Sequence, residues 1–351
     1  MSFDIVRNTH AQAAKLFHLL CFLNPNGILI EFLLSGVEAL ESDLREVVLN
    51  RSKMAKALLE LEKFSLIKWD RPTKLLFVHR LIQTVVQDEM SDTELTAILN
   101  TVIDLCNQSL PLECTNETRH LCRIYQSQVV GPLLHIKALH TQKFADVMER
   151  VGKFLMIDGK YKDSERLLLR VVEMRIEISG TDHPSLLISM TNLAGTYRAQ
   201  GRMAEAAMLV AKVLEKAKRI LGEDHLSTLA SWNNLAGVYG AQGRTAEAAT
   251  LHEEVLGKTK RILSEDHPDT LRSMSNLALT YALQGRTGEA AALHEEVLEE
   301  MKRILGEDDL DMLNSMSNLA FTYQVQERTA EASALHEEVL RKQKQILVAL
   351  L

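Results

Sequence analysis

Aromatic residues make up only 5% of this 351-residue chain, and it has six prolines. β-Sandwiches and barrels draw on aromatic strands and frequent turns, so this scarcity, beside abundant Leu, Ala, Glu, Lys and Arg, favours helix. Cysteine is sparse as well. Cys21, Cys106, Cys114 and Cys122 show no CxxC spacing, so a zinc site has no support and all four read as reduced thiols. No apolar run reaches the ~18 residues of a membrane-spanning helix. The opening MSFDIVRNTH lacks the apolar stretch of a signal peptide. A cytoplasmic protein with no membrane partner is expected. A basic excess is missing too: 40 Lys and Arg against 47 Asp and Glu give a net charge of −7, which argues against general nucleic-acid binding. There is no G-x-x-x-x-G-K-[ST]. Gly257-Lys258-Thr259 copies its end, but the first glycine would fall at His252, and the tripeptide lies where a helix, not a phosphate loop, is expected. No Ser-His-Asp or Cys-His arrangement has local support. The chain therefore reads as a non-enzyme without cofactor or catalytic residues.

What is present is a repeat. Asn-Leu-Ala recurs from Asn192, Asn234, Asn276 and Asn318, a step of 42 residues. Tyr197, Tyr239, Tyr281 and Tyr323 keep that step, as do Ala206, Ala248, Ala290 and Ala332. Gly159, Gly201, Gly243 and Gly285 do the same, with Glu327 in the fifth place. Leu193, Ala194 and Tyr197 share one face of a first helix, and Ala206, Leu209 and Val213 one face of a second. Between them a Gly-Arg pair ends the first helix, because glycine accepts the left-handed conformation at the helix end. Asp182-His183-Pro184 and Asp266-His267-Pro268 start the next hairpin, with proline in the first turn. Asp224-His225-Leu226 and Asp308-Asp309-Leu310 are degenerate forms of that start.

The order Trp232, Leu235, Ala236, Tyr239, Gly243, Ala248 resembles the tetratricopeptide consensus, and the 42-residue length with its Asp-His-Pro link resembles the kinesin light chain type of array. The resemblance covers about residues 143–351 and implies an α-solenoid of five helical hairpins, the last truncated at Leu351. The first unit, 143–184, is divergent: Leu155 replaces the tyrosine, and Asp163-Ser164-Glu165 replaces Glu-Ala-Ala.

Upstream, residues 9–23 form an amphipathic stretch ended by Asn24-Pro25-Asn26-Gly27, residues 28–34 a short apolar helix, and 51–64 another helix. Ser65–Asp70 and Leu75–His79 read as two strands joined by Arg71-Pro72-Thr73-Lys74. Helix 51–64 followed by one small β-hairpin is the pattern of a winged helix, so residues 1–90 are expected to be a winged-helix-like domain and 91–142 a helical connector. The order SFDIVR, AAKLFHLLCFLNPNGI, LLELEKFSLI, FVHRLIQ resembles the region after the nucleotide-binding domain in fungal-type NB-ARC–TPR proteins of the STAND class. Val78-His79-Arg80-Leu81 sits where that family's Met-His-Asp motif lies. The resemblance implies that His79 is a vestigial nucleotide sensor, although Arg80 replaces the aspartate. Without a P-loop the chain reads as a fragment or truncated relative: switch remnant and sensor array without a motor.

Candidate site residues follow from the repeat. First helices line the inner surface of such a solenoid, so Asn192, Asn234, Asn276 and Asn318 form a column of amides at matching heights. Amides both donate and accept, and a column of them can pair with an extended peptide backbone of any sequence. A purely structural role, bonding a neighbouring hairpin, is the competing reading. Three residues further along stand Gly195, Gly237, Leu279 and Phe321. The asparagines of a carboxylate clamp are absent there. An apolar anchor near Leu279 and Phe321 is expected instead, with inter-repeat packing as its alternative. His252, His294 and His336 are one hairpin apart, roughly 10 Å, too far to share a metal, and the Glu-Glu pairs beside them read as a solvated face. Arg51, Lys53, Lys56, Arg71 and Lys74 give residues 51–80 a local basic excess. The function expected first is a protein-interaction scaffold binding a protein or peptide in its inner groove. The alternatives are a regulatory remnant of a STAND ATPase and a winged-helix DNA binder. The closing run Ile346–Leu351 and the side chain at Glu327 predict self-association through an uncapped last hairpin.

Overall fold

The structure is a computed structural model describing residues 2–349 except 116, 137–138 and 306–309; the side chains of 2, 4, 305, 310–311 and 346–349 are not described. The side chains of the closing apolar run, and Asp308-Asp309, therefore lie outside what the structure describes. The chain divides into two compact units, residues 1–181 and 182–351.

The first unit opens with α1 (Ser2–Thr9) and α2 (Ala11–Leu20), the latter burying Leu16, Phe17, Leu19 and Leu20. After β1 (Ile28–Leu29) come α3 (Ile30–Ser35), a 3-10 turn at Val37–Ala39, α4 (Ser42–Leu49) and α5 (Arg51–Lys63). The Asn50 side chain caps α5 by accepting from Ser52 N and Lys53 N. β2 (Lys68–Asp70) and β3 (Leu75–Phe77) precede α6 (Arg80–Asp88), α7 (Asp92–Ser109) and α8 (Arg119–His135). A reciprocal capping box of Ser91 and Glu94 starts α7.

The expected two-stranded hairpin is in fact a three-stranded antiparallel sheet of order β1-β3-β2. Residues 28 and 29, expected in a helix, pair with Leu76 and Leu75. The cause is tertiary. Buried Gln128 of α8 donates to Gly27 O at 3.0 Å and accepts from Leu29 N at 3.1 Å, which satisfies the strand's outer backbone groups. Gly27 takes φ +132°, where a side chain would be strained.

α9 (Gln142–Ile157) and α10 (Tyr161–Ser179) form the divergent first hairpin. One buried core joins it to everything upstream, from Val6 to Met174. Ser164 stands where later repeats have alanine and is fully buried, its hydroxyl donating to Gly152 O at 2.8 Å. Gly152 itself is required: a Cβ there would meet Leu168 Cγ at 2.8 Å. Buried Arg175 is held by Asp146 at 2.5 Å and Glu149 at 3.2 Å.

The second unit is four hairpins: α11 (Pro184–Ala199) with α12 (Met203–Leu221), α13 (Leu226–Ala241) with α14 (Thr245–Ile262), α15 (Pro268–Leu283) with α16 (Thr287–Leu305), and α17 (Leu310–Val325) with α18 (Thr329–Ala349). Each helix packs on the next, and α15 also lies beside α13 and α17. The alanines of the repeat fill the crossings: Ala206, Ala236, Ala248, Ala278, Ala290 and Ala320 are fully buried. Gly201, Gly243 and Gly285 take φ +77° to +79° as the period predicts. Arg202, Arg244 and Arg286 donate backbone N–H to Tyr197, Tyr239 and Tyr281 carbonyls at 2.9 Å, the six-to-one bond of a Schellman end. Glu327 is forced into the same region, φ +63°, and its neighbour Arg328 makes the same bond to Tyr323. The helix starts use the histidine of Asp-His-Pro as well as the proline. Nδ1 of His183, His225 and His267 accepts from the backbone N–H two residues on, at 3.1–3.2 Å. Among the described residues no helix is long and apolar enough to cross a membrane.

Candidate functional site

In the four-hairpin unit each first helix buries two of its sides and leaves one stripe open, and the repeated asparagines lie on that stripe. Asn234 is exposed; Asn192, Asn276 and Asn318 are half-buried. Among the described residues the side chains of Asn234, Asn276 and Asn318 make no hydrogen bond, so three amides of the row stay available on the open face. Their backbone carbonyls are used: Thr280 and Thr322 hydroxyls donate to Asn276 O and Asn318 O at 3.0 and 3.1 Å.

One turn along the same stripe the surface changes from hairpin to hairpin. Gly195 and Gly237 leave a low floor on α11 and α13. Leu279 is half-buried on α15, and Phe321 on α17 is 40% exposed. The next turn adds Leu283 at 58% and Val325 at 42%. Since α15 lies beside α17, these four side chains make one apolar patch next to the amide row. Leu283 and Val325 were missed from sequence; their signal is that both occupy the position held by Ala199 and Ala241 in earlier repeats.

The histidine series has a different place. His252 and His294 are buried, the first bonded within its own hairpin and the second across to the next. His252 Nδ1–H donates to Asn233 Oδ1 at 3.0 Å, and Asn233 Nδ2 reaches Ser273 Oγ of the next hairpin at 3.4 Å. His294 Nδ1–H donates to Thr322 Oγ1 at 2.9 Å. Burial pushes both imidazoles down to about 4. His336 is exposed. Among the described residues no group of His, Cys, Asp or Glu is arranged to hold a metal ion.

A second repeated device also joins hairpins. The guanidinium of Arg244, Arg286 and Arg328 lies 3.6–3.7 Å from the ring centre of Tyr239, Tyr281 and Tyr323. Each arginine also pairs with the glutamate three residues on, at 2.5–2.6 Å. Hydrogen bonding to Arg244 and Arg286 holds the Glu247 and Glu289 carboxyls below the usual range. Tyr281 and Tyr323 hydroxyls donate to Glu253 and Glu295 of the preceding hairpin at 2.8 and 2.7 Å. Glu253 and Glu295 are thus links between repeats, not simply part of a solvated face. Gln284 and Gln326 add amide bonds to Thr245 O and Thr287 O across the same seams.

His79 lies far along the chain from this face, in the first unit. It is exposed and caps α6, Nδ1 accepting from Leu81 N at 3.2 Å. With Lys68, Phe77, Arg80 and Glu62 it lines an open cleft of about 650 Å³. Of the basic residues considered for nucleic acid, Lys53, Arg71 and Lys74 pair with Glu46, Glu62 and Glu31.

The tetratricopeptide repeat family matches residues 144–218, 191–260, 232–302 and 269–345, more than half of the chain. The chain belongs to the tetratricopeptide repeat family. Tetratricopeptide arrays are typically protein-interaction scaffolds without catalytic activity, and the match places the divergent α9–α10 hairpin inside the array. Residues 5–95 match a domain of unknown function (DUF7779). No curated protein matches the chain. Among solved structures, the nearly identical TPR-like repeats of a Podosopora anserina protein named for kinesin light chain are 31% identical over 57% of this chain and 94% of that one, with TM-score 0.47. BtubC from P. vanneervenii is 18% identical over 71% of this chain and 92% of its own, with TM-score 0.50. A Rap protein complexed with competence and sporulation factor is 11% identical over 91% and 96%, with TM-score 0.47.

Proposed function

We propose that the chain is a non-enzymatic scaffold that grips an extended segment of a protein partner along the open stripe of its first helices. The observation that carries this reading is the amide row. Asn234, Asn276 and Asn318 leave their side chains without hydrogen bonds among the described residues, although period and burial set everything around them. A buried or structural asparagine would spend its donors and acceptor on the neighbouring hairpin. These can pair instead with the N–H and C=O groups of a peptide backbone. The apolar patch beside the row supplies buried area, which the amides alone do not.

The test is selection of random twelve-residue peptides displayed on phage, with the full chain as bait. Asn234→Ala combined with Asn276→Ala should abolish capture of the enriched peptides and leave the melting temperature within about 1 °C of the parent, since neither side chain is buried or hydrogen-bonded among the described residues and substitutions away from such contacts are near neutral. A matching loss of stability, or unchanged capture, would return the asparagines to a structural role.

A second reading concerns the first unit. The cleft in which His79 stands with Lys68 and Arg80 favours the remnant of a nucleotide-responsive switch. Calorimetric titration with ADP tests it, and heat that persists in His79→Ala would overturn it.

A further inference from the structure

Among the described residues the open stripe carries one charge that nothing neutralises. Arg198, the last residue but one of α11, is exposed, and among the described residues no carboxylate or carbonyl pairs with its guanidinium. The arginines of the stacking series each have a glutamate three residues on. Arg272, further along the inner stripe, has Asp269 at 2.6 Å. Arg198 has no such acid. Its Nη1 instead reaches across to α13 and stands 4.0 Å from where a Cβ on Gly237 would be. Gly237 leaves the floor low beside this cation, and even a Cβ there would only come into ordinary contact with it. Two hairpins on, the floor is apolar: half-buried Leu279 with exposed Leu283, Phe321 and Val325. Both features sit at the same height along their helices, one turn past the amide row, so one extended chain lying across the helices would meet them in succession.

Resting on the groove reading above, we infer that the partner segment is an extended peptide carrying an acidic side chain at Arg198 and a bulky apolar side chain on the Leu279–Phe321 patch. The spacing follows from geometry. Neighbouring first helices lie about 10 Å apart, so Gly237 is about 10–20 Å from the patch. An extended chain advances about 3.3 Å per residue, which puts the acid about three to six residues from the apolar anchor. The polarity of the partner chain is open, because amides accept either direction. The small residues between the two ends exclude nothing, so the intervening positions are unrestricted. The occupant is acidic and not basic because, among the described residues, the one unneutralised group on the floor is a cation, and a lysine or arginine of the partner set against it would be repelled.

The experiment is the same phage selection on the full chain, repeated with Arg198→Glu and with Leu283→Ser plus Phe321→Ser. All three positions are exposed, so the variants should fold, and circular dichroism melting checks that they do. The parent should enrich Asp or Glu three to six residues from Leu, Ile, Met, Phe or Trp. Arg198→Glu should replace the acid by Lys or Arg while the apolar choice persists; the double serine variant should lose the apolar choice. A synthetic peptide of the enriched sequence should bind Arg198→Glu at least tenfold more weakly. Amidating its C-terminus should change nothing, which assigns the carboxylate to a side chain and not to a chain end. Enriched peptides that depend on Asn234 and Asn276 but lack the acid–apolar pairing would overturn this inference and leave the groove standing. An acid preference that survives Arg198→Glu, or a carboxylate supplied only by the C-terminus, would overturn it too. Failure to enrich any peptide would overturn both readings.

Discussion

At the scale of single residues, three positions depart from ordinary chemistry for stated reasons. Glu327 occupies a left-handed site that glycine fills at Gly201, Gly243 and Gly285. A side chain there costs about 1 kcal/mol. Glu327→Gly should therefore stabilise the α17–α18 hairpin by about 1 kcal/mol, seen as slower hydrogen exchange across that hairpin; no change would mean the turn is relaxed. His252 and His294 depart in the other direction. Burial lowers each from an ordinary 6.5 to about 4. The unfolded chain then binds more protons than the folded one between those values, so stability is full above pH 6.5 and falls as pH drops toward 4. The loss is on the order of 3 kcal/mol for each histidine. Melting followed from pH 7.5 to 4.5 should show it, and His252→Gln with His294→Gln should flatten the curve in that window. If the double variant keeps the parent's slope, the carboxylates and not the histidines carry the acid sensitivity.

At the scale of elements, the clearest case is β1. Its sequence, Ile28-Leu29 running into Ile30-Glu31-Phe32-Leu33, reads as continuous helix. It is strand because β3 pairs with one edge and Gln128 satisfies the other. Gln128→Leu should leave Leu29 N–H and Gly27 C=O unpaired in the interior, at a cost of about 1–3 kcal/mol. Rapid exchange of the Leu29 amide with little change in the four-hairpin unit would accompany that loss. A protected Leu29 amide in the variant would show that the sheet alone holds β1. The hairpins behave oppositely: their helix lengths, glycine turns and alanine crossings follow from local sequence, repeated often enough to be read without tertiary information.

At the scale of the molecule, two cores matter. One runs from Val6 to Met174, and the hairpins of 182–351 bury smaller clusters in successive seams, such as Leu271, Met274, Val297 and Met316. In such arrays each hairpin is stabilised chiefly by its neighbours. Leu20→Ala, at a fully buried position, should cost about 2–5 kcal/mol and raise hydrogen exchange through residues 1–181. Protection of α13 to α16 should stay at the parental level. A uniform rise along the whole chain would show that the units unfold as one.

The repeat, its period, its turns and the identity of the array were determined by the sequence alone, because each is a local rule applied at 42-residue intervals and errors at one copy are corrected by the others. The alignment of the asparagines, and of Leu279 with Phe321, follows from the same period; that they grip a partner is the proposal made above. The exposure of Leu283 and Val325 was not legible, since exposure of an apolar side chain depends on which neighbours cover it. Nor could sequence tell that His252 reaches Asn233, that Tyr281 reaches Glu253, or that Gln128 turns a helical pattern into strand. Those pairs are 19, 28 and about 100 residues apart. Periodicity assigns a residue to a face, but only packing decides which partner waits on the other side of it.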